Sequence, residues 1–145
     1  MITVRAMQAK DTETVAKLEE MIFFQPWSRQ GFLDALNLGN TIFLVAEERE
    51  KILGYIGMYF SLDEGEITNV AVNPRQRCRG IGELLLREIK KEAERRSIAR
   101  IVLEVRVSNH SAIRLYERNG FQNLGIRKDF YRFPTEDAYI MSFGQ

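Results

Sequence analysis

Apolar residues recur at helical spacing in some segments of the chain and alternate with polar residues in others, and this pattern separates helices from strands. Helical spacing after Asp11 predicts a first helix with Asp11 as its N-cap, and Ser28 is expected to cap a short second helix. A longer amphipathic helix is predicted from Gly80 to Arg96. A fourth helix is expected to begin at Ser108 or Asn109 and to end at Gly120.

Seven segments have the composition and alternation of strands. They are Thr3–Met7, Ile42–Glu47, Ile52–Phe60, Glu66–Val72, Arg100–Val105, Gln122–Lys128 and Ala138–Phe143. The predicted order is therefore βααβββαβαββ, with hairpins early and a strand-helix-strand crossover later. Such an order predicts an α/β fold in which a central mixed sheet of about seven strands is flanked by about four helices on both faces. We expect residues 1–145 to form a single domain, since no linker or repeat interrupts them.

The composition excludes several classes of site. Lys and Arg number 21 against 20 Asp and Glu, so the net charge of +1 argues against nucleic-acid binding through bulk basicity. With one Cys and one His, the chain has no internal disulfide framework and no multi-Cys or His-rich metal site, and we expect no metal. No apolar stretch has membrane-spanning length and the first residues have no signal-peptide core, so we expect a cytoplasmic protein without a membrane role.

The near-neutral total conceals an uneven distribution of charge. Residues 1–72 carry 6 basic and 11 acidic side chains, whereas residues 73–100 carry 9 basic and 4 acidic ones. The excess of positive charge therefore surrounds the glycines that follow the fourth predicted strand.

Those glycines stand in a loop, residues 77–82, between a strand and the N-terminus of a helix. Gly80 and Gly82 let the backbone approach an anion, the free N–H groups attract negative charge, and the neighbouring arginines add full charges. A phosphate-binding loop is the functional interpretation, and a tight turn with solvated arginines is the alternative. The spacing of Gly80, Gly82 and Glu104 also approximates a dinucleotide fingerprint, but Leu85 stands at the third glycine position.

Two motifs resemble the GNAT superfamily of acyl-CoA-dependent N-acetyltransferases. Arg77-x-x-Gly80-x-Gly82 matches the superfamily's Arg/Gln-x-x-Gly-x-Gly/Ala loop. The segment 103–121, LEVRVSNHSAIRLYERNGF, is similar to the signature of the RimI-type ribosomal-protein-alanine N-acetyltransferases. Pro26-Trp27-Ser28 also resembles that subfamily. The resemblance spans essentially the whole chain and implies acetyl transfer from acetyl-CoA to the N-terminal amine of a protein, specifically a ribosomal protein that begins with alanine.

The resemblance also implies a set of residues that contact acetyl-CoA. Strand residues before the loop would pair with the pantetheine arm, the loop would hold the pyrophosphate, and an Asn would contact the arm. In this chain these are Val70, Ala71, Val72, Arg77, Cys78, Arg79, Gly80, Ile81, Gly82, Glu83 and Asn109. Glu83 stands where relatives often have Arg, and Asn109 serves equally well as a helix cap.

In the resemblance Glu104 corresponds to the general base and Tyr116 to the general acid. A carboxylate that removes a proton from an ammonium group frees the nitrogen lone pair, and a Tyr hydroxyl can protonate the departing thiolate. Structural alternatives stay open, because Glu104 also fits the polar face of a strand and Tyr116 also fits a packed helix.

Two aromatic residues are candidates for the acceptor side of the site. Trp27 resembles part of the subfamily's peptide-binding loop, and Tyr131 resembles a Tyr beside the acceptor. A buried anchor and a core packing residue are the respective alternatives.

Other activities remain to be weighed against N-terminal acetylation. Lysine side chains or small amines would need the same base and donor, and a CoA-binding module would need no catalysis. A ping-pong mechanism through Cys78, with His110 as its base, disagrees with the direct transfer that the resemblance implies. The sequence does not define the oligomeric state.

Overall fold

The computed structural model describes residues 1–144 and contains seven strands and four helices. In chain order they are β1 Thr3–Ala6, α1 Thr12–Ile22, α2 Arg29–Leu36, β2 Thr41–Glu48, β3 Lys51–Ser61, β4 Glu64–Val72, α3 Ile81–Arg95, β5 Arg100–Arg106, α4 His110–Arg118, β6 Gln122–Tyr131 and β7 Glu136–Gly144. The predicted order of elements is confirmed.

All seven strands form one mixed sheet in the order β1-β2-β3-β4-β5-β7-β6. The β4–β5 pair is parallel and every other pair is antiparallel. The crossover through α3 accounts for the parallel pair, since parallel strands need a long connection. The expected α/β class, with a mixed sheet between helices, is therefore confirmed.

Helices cover both faces of the sheet and bury two apolar clusters. On one face α1 and α2 pack over β2, β3 and β4, where the cluster centres on Val15, Phe32 and Tyr55. On the other face α3 and α4 bury a larger cluster that includes Leu85 and Leu103. Each side chain named here is at most 1% exposed, so the core is divided into two layers by the sheet.

Most predicted helix ends are confirmed, and one is wrong in its mechanism. Ser28 Oγ accepts a hydrogen bond from the Gly31 N–H at 3.0 Å, as an N-cap should. Asp11 precedes α1, but its carboxylate makes no cap bond to that helix. It accepts instead from the Gln8 N–H at 2.8 Å and from the Arg5 guanidinium at 2.8 and 3.0 Å. The Asp11 carboxylate is thus held by Arg5 and Gln8 and not by the first N–H groups of α1.

The start of β4 differs from the prediction because the turn before it lies at other residues. The predicted strands Ile52–Phe60 and Glu66–Val72 leave residues 61–65 as their connection, whereas β4 already begins at Glu64 and Gly65 pairs with Phe60. The chain reverses direction at residues 62–63, before Glu64, and Leu62 there has a φ of 54°. An apolar residue in a left-handed conformation carries no turn signal in the sequence.

The β4 strand contains a bulge that determines where the site forms. Gly57 of β3 pairs with Asn69 and the next residue, Met58, pairs with Ile67, so Thr68 is an extra residue in β4. The bulge reverses the alternation of side chains: Ile67 packs in the α3 cluster and Ala71 in the α1 cluster. Bulges bend a strand and increase its twist, and here β4 diverges from β5 immediately before Thr68.

Candidate active site

The β4 and β5 strands pair over three residues and then separate. Their ladder joins Glu64 to Arg100 and ends at Glu66 and Val102. A cavity of about 540 Å³ opens in the wedge beyond that point. Its lining comes from the diverging strands, the α1–α2 loop, α4 and the end of β6: Glu19, Phe23, Phe24, Gln25, Trp27, Ile67, Thr68, Asn69, Val70, Leu103, Glu104, Val105, Arg106, Asn109, Tyr116, Phe130, Tyr131 and Arg132.

Glu104 lies on β5 and faces this cavity. Leu103 and Val105 point into the α3 cluster, so the alternation of the strand sends the Glu104 side chain to the other face, where it is 16% exposed. Burial raises the pKa of the Glu104 carboxyl above its ordinary value, the negative charge of Glu66 raises it further, and the positive charge of Arg127 lowers it. A carboxyl with an elevated pKa is better suited to accept a proton near neutral pH.

Two tyrosines share the cavity with Glu104. Tyr116 of α4 is 7% exposed, and burial raises the pKa of its hydroxyl above the ordinary value. Tyr131, at the end of β6, has its pKa raised to about 12 by burial and by the nearby Glu104 charge. Both phenols therefore hold their protons at neutral pH and can donate hydrogen bonds into the cavity.

Trp27 packs in the apolar cluster and also lines the cavity. Its ring packs against Phe32 at 5.2 Å and Phe43 at 6.2 Å between centroids, and its half-buried side chain lines the cavity. Its backbone N–H donates to Glu19 Oε2 at 3.1 Å. The α1–α2 loop, residues 23–28, is called the Trp27 loop below. It is anchored to the apolar cluster by Trp27 and forms a wall of the cavity.

Glu19 is a site residue that the sequence analysis missed. It is 3% exposed and accepts hydrogen bonds from the Trp27 N–H and the Tyr55 hydroxyl. Burial raises the pKa of Glu19, while the hydrogen bonds of Trp27 and Asn69 lower it. One buried carboxylate therefore links α1, the Trp27 loop and the bulged part of β4. In the sequence Glu19 precedes another Glu and has the appearance of a solvated helix position.

The three β4 residues expected at the cofactor contribute differently to the site. Val70 lines the cavity, whereas Ala71 is buried under α1 and the Val72 side chain packs against the α3 cluster. Only backbone groups of Ala71 and Val72 are therefore available to a ligand. Beyond Glu66 the β5-facing edge of β4 has no strand partner within residues 1–144, so a ligand can pair with it.

The glycine loop connects this open edge to the N-terminus of α3. Gly80 is the N-cap of α3 with a φ of 76°, and a Cβ at Gly80 would meet no heavy atom within 4 Å. Cys78 also has a positive φ and is exposed. The first N–H groups of α3, at Ile81 and Gly82, have no acceptor within the helix. Open space in front of these N–H groups fits the pyrophosphate expected there.

Two charged side chains at the loop, Arg79 and Glu83, are paired with residues outside it. Arg79 donates to the Glu48 carboxylate at 3.0 and 3.1 Å and to the Gln76 side chain at 2.6 Å. Glu83, which was expected to weaken the cationic loop, lies 3.3 Å from Arg87 and 3.6 Å from Arg118. Its charge is therefore compensated. Arg77 is exposed at the same loop.

Asn109 caps α4 and also faces the cavity. Its Oδ1 atom accepts from the Ala112 N–H at 3.3 Å, which makes it the N-cap of α4, and the residue lines the cavity. At the other end of α4 the backbone forms a Schellman motif. The Gly120 N–H donates to the Glu117 carbonyl, and the Phe121 N–H donates to the Tyr116 carbonyl. These two caps fix the register of α4 and hence the position of Tyr116.

Residues 1–144 contain neither a cluster of metal-binding side chains nor a membrane-spanning helix. No group of three or more His, Cys, Asp or Glu side chains is arranged to hold a metal ion. None of the helices is long and apolar enough to cross a membrane.

The glycine loop at the N-terminus of α3 agrees with the acyl-transfer family that the two sequence motifs resemble, and the sequence comparison shows the same family. Residues 12–121 match the model of the acetyltransferase (GNAT) family. The chain belongs to this family.

Named relatives share nearly the full length of the chain. A Bacillus subtilis (strain 168) protein is 39% identical over 140 residues, which covers 95% of this chain and 92% of that one. Its name gives [ribosomal protein bS18]-alanine N-acetyltransferase as a provisional assignment. The crystal structure of the Escherichia coli ribosomal-protein-S18-alanine N-acetyltransferase superposes with a TM-score of 0.92 at 31% identity, covering 99% and 94% of the two chains.

A third comparison concerns the fold alone. Arabidopsis thaliana NAA60 in complex with acetyl-CoA has a TM-score of 0.92 at 22% identity, with complete coverage of both chains. A protein of this fold therefore binds acetyl-CoA.

Proposed function

We propose that this protein transfers the acetyl group of acetyl-CoA to the N-terminal alanine of ribosomal protein bS18, acting in the cytoplasm as a single domain over residues 1–145. Support comes from relatives with that named activity, at 31–39% identity over nearly the whole chain. The single observation that carries the proposal is the placement of Glu104 and Tyr116 on one cavity at the open edge of β4.

In the proposed reaction Glu104 accepts a proton from the acceptor ammonium group, directly or through water. An α-amino group has an ordinary pKa of about 7.7–8.0, so most of it is protonated at neutral pH and needs a base. The nitrogen lone pair then forms the C–N bond while the C–S bond breaks. Tyr116, which keeps its proton at neutral pH, delivers that proton to the leaving sulfur, and the second proton that the acylated nitrogen loses restores the phenol through water.

Acetyl-CoA supplies the thioester when it is bound. The backbone of Val70, Ala71 and Val72 would pair with its pantetheine arm, with Asn109 on the other side of the wedge. The loop from Arg77 to Glu83 would hold the pyrophosphate through N–H groups and the N-terminal dipole of α3. Trp27 and Tyr131 would contact the acceptor, since both line the cavity that Glu104 faces, whereas the glycine loop lies outside its lining.

The acceptor is tested with a panel of peptides that differ only in the first residue, incubated with acetyl-CoA and analysed by mass spectrometry. We expect the bS18 N-terminal sequence beginning with alanine to be acetylated on its α-amine. Acetylation confined to internal lysines of the same peptides would contradict the proposal. Absence of transfer, with acetyl-CoA still bound, would favour a binding module instead.

A further inference from the structure

The guanidinium group of Arg106 is surrounded by the turn that connects β6 to β7, residues 132–135. Nη1 donates to the Pro134 carbonyl at 2.9 Å and to Glu136 Oε1 at 3.1 Å. Nη2 donates to the Arg132 carbonyl at 3.1 Å. The guanidinium carbon also lies 4.4 Å from the centre of the Tyr131 ring. Four contacts from one side chain thus reach the turn or its two flanking residues.

The partner carboxylate is itself fixed. Glu136 Oε2 accepts from the Ser108 N–H at 2.8 Å, just before α4 begins. The Arg106 and Glu136 side chains are 28% and 17% exposed, so the pair is only partly screened by water. The turn is therefore attached to the end of β5 and to the start of α4, the two elements that carry Glu104 and Asn109.

The turn also reaches the other wall of the cavity. Phe133 stacks on Phe24 of the α1–α2 loop, with ring centroids 5.1 Å apart and planes at 15°. Both rings are largely exposed, at 53% and 74%. An exposed stack of two rings does not fix a turn by itself, so its position depends on the contacts at its base.

We propose that Arg106 is a positioning residue that holds the β6–β7 turn, and with it Tyr131, as the wall of the acceptor site. Arg106 also lines the cavity, but its guanidinium is directed at the turn and at the Tyr131 ring. The inference rests on the proposed function in one respect, since it takes the cavity beside Tyr131 as the place where the acceptor amine binds. Without Arg106 the turn would occupy its binding-competent position for only a fraction of the time, and the apparent affinity for the acceptor would fall by that fraction.

The test compares Arg106→Gln and Arg106→Lys with Arg100→Gln. Arg100 lies on the same strand and face, pairs with Ser142 and Glu64, and is remote from the turn, which makes it a matched control. We expect Arg106→Gln to raise the KM for the acceptor peptide by roughly tenfold, with the KM for acetyl-CoA within about twofold of the wild-type value. Arg106→Lys should have an intermediate effect because an ammonium group cannot satisfy all the acceptors at once. Arg100→Gln should leave both KM values unchanged.

A second measurement does not depend on the acceptor. Native trypsin cleavage between Arg132 and Phe133 should accelerate by roughly tenfold in Arg106→Gln, since cleavage follows the population of the open turn. Glu136→Gln should show the same direction with a smaller change, because the two carbonyl contacts remain.

The outcomes separate this inference from the proposed function. An unchanged peptide KM and cleavage rate in Arg106→Gln would overturn it. Loss of acetyl-CoA binding in both Arg106 variants would also overturn it, since the residue would then be needed for the fold as a whole. A wild-type protein that acetylates no peptide N-terminus would contradict the proposed function, while the cleavage experiment would still decide the role of Arg106.

Discussion

Arg127 Nη1 lies 3.6 Å from Glu104 Oε2, so the strand at the edge of the sheet places a positive charge beside the proposed base. Glu66, at the end of the β4–β5 ladder, faces the same carboxylate with a negative charge. The Tyr131 side chain near Glu104 is an uncharged phenol at neutral pH and contributes no net charge. The protonation of Glu104 is thus subject to two opposed charges that can be removed one at a time.

The acidic limb of the pH–rate profile should move in opposite directions in two variants. Arg127→Gln removes the charge that lowers the pKa of Glu104, so this pKa should rise. On acidification the variant should therefore lose activity at a higher pH than the wild type does. Glu66→Gln removes a charge that raises the pKa, so activity should persist to a lower pH. Profiles of kcat/KM and carbon-13 NMR titration of labelled Glu104 both measure this. Shifts in the same direction would contradict the assignment, and added salt should reduce both.

Glu104→Gln and Tyr116→Phe should each lower kcat by roughly 100-fold or more, because each removes a proton-transfer group and leaves the cavity wall in place. Both variants should bind acetyl-CoA as the wild type does, which calorimetry measures. Glu117→Gln, on an exposed position of the same helix as Tyr116, provides a control. Wild-type turnover in either variant would remove that residue from its proposed role.

Glu19→Gln should destabilise the fold by about 1–3 kcal/mol, since an amide NH₂ group cannot accept the hydrogen bonds of the buried carboxylate. The pKa of Glu19 is higher in the folded than in the unfolded chain. Glu19 therefore lowers the free energy of unfolding as the pH rises from its unfolded-state pKa through its folded-state pKa. The variant should lose that part of the pH dependence. Urea denaturation between pH 4 and pH 7 tests both effects, with the exposed Glu20→Gln as control.

Glu48→Gln should strengthen acetyl-CoA binding by about two- to fivefold, because it releases Arg79 and removes a negative charge near the phosphate loop. The Arg79 guanidinium holds the pKa of Glu48 below its ordinary value, so the pair is ionised at neutral pH. Titration at low and high ionic strength measures the effect, which salt should diminish. The exposed Glu50→Gln in the same hairpin should not change the affinity; equal effects would mean that Arg79 is not the cause.

Gly57→Ala should destabilise the protein by about 1–3 kcal/mol through overpacking. A Cβ at Gly57 would overlap a ring carbon of Phe43, which is 4% exposed and has little room to move aside. Gly39→Ala is the matched control, since a Cβ there meets nothing within 4 Å. Equal unfolding free energies for the two variants would contradict this account of the packing.

Local signals in the sequence were sufficient for the elements of the fold. Hydrophobic periodicity gives their order, and Ser28, Asn109 and Gly120 mark helix ends because caps are made within a few residues of chain. The family motif places Glu104 and Tyr116 on the right elements. Their common cavity follows only from the three-dimensional arrangement.

The features that the sequence did not predict depend on partners far apart in the chain. Thr68 forms a bulge because β3 and β4 pair out of register, and no residue type at that position signals it. Glu19 appears solvated until the Trp27 loop and Tyr55 cover it. Arg106 belongs to a recognised motif, yet its role depends on carbonyl groups of a turn whose position only the folded sheet defines.

Among residues 1–144, the two halves of the sheet, β1–β4 and β5–β7, are joined by three pairs of residues. A ligand that pairs with the free edge of β4 takes the place of the missing strand and reinforces this seam. Its concentration then contributes to the stability of the whole chain, by about 2.7 kcal/mol when it exceeds the dissociation constant 100-fold. The thermal resistance of this protein should therefore follow the supply of its acyl donor.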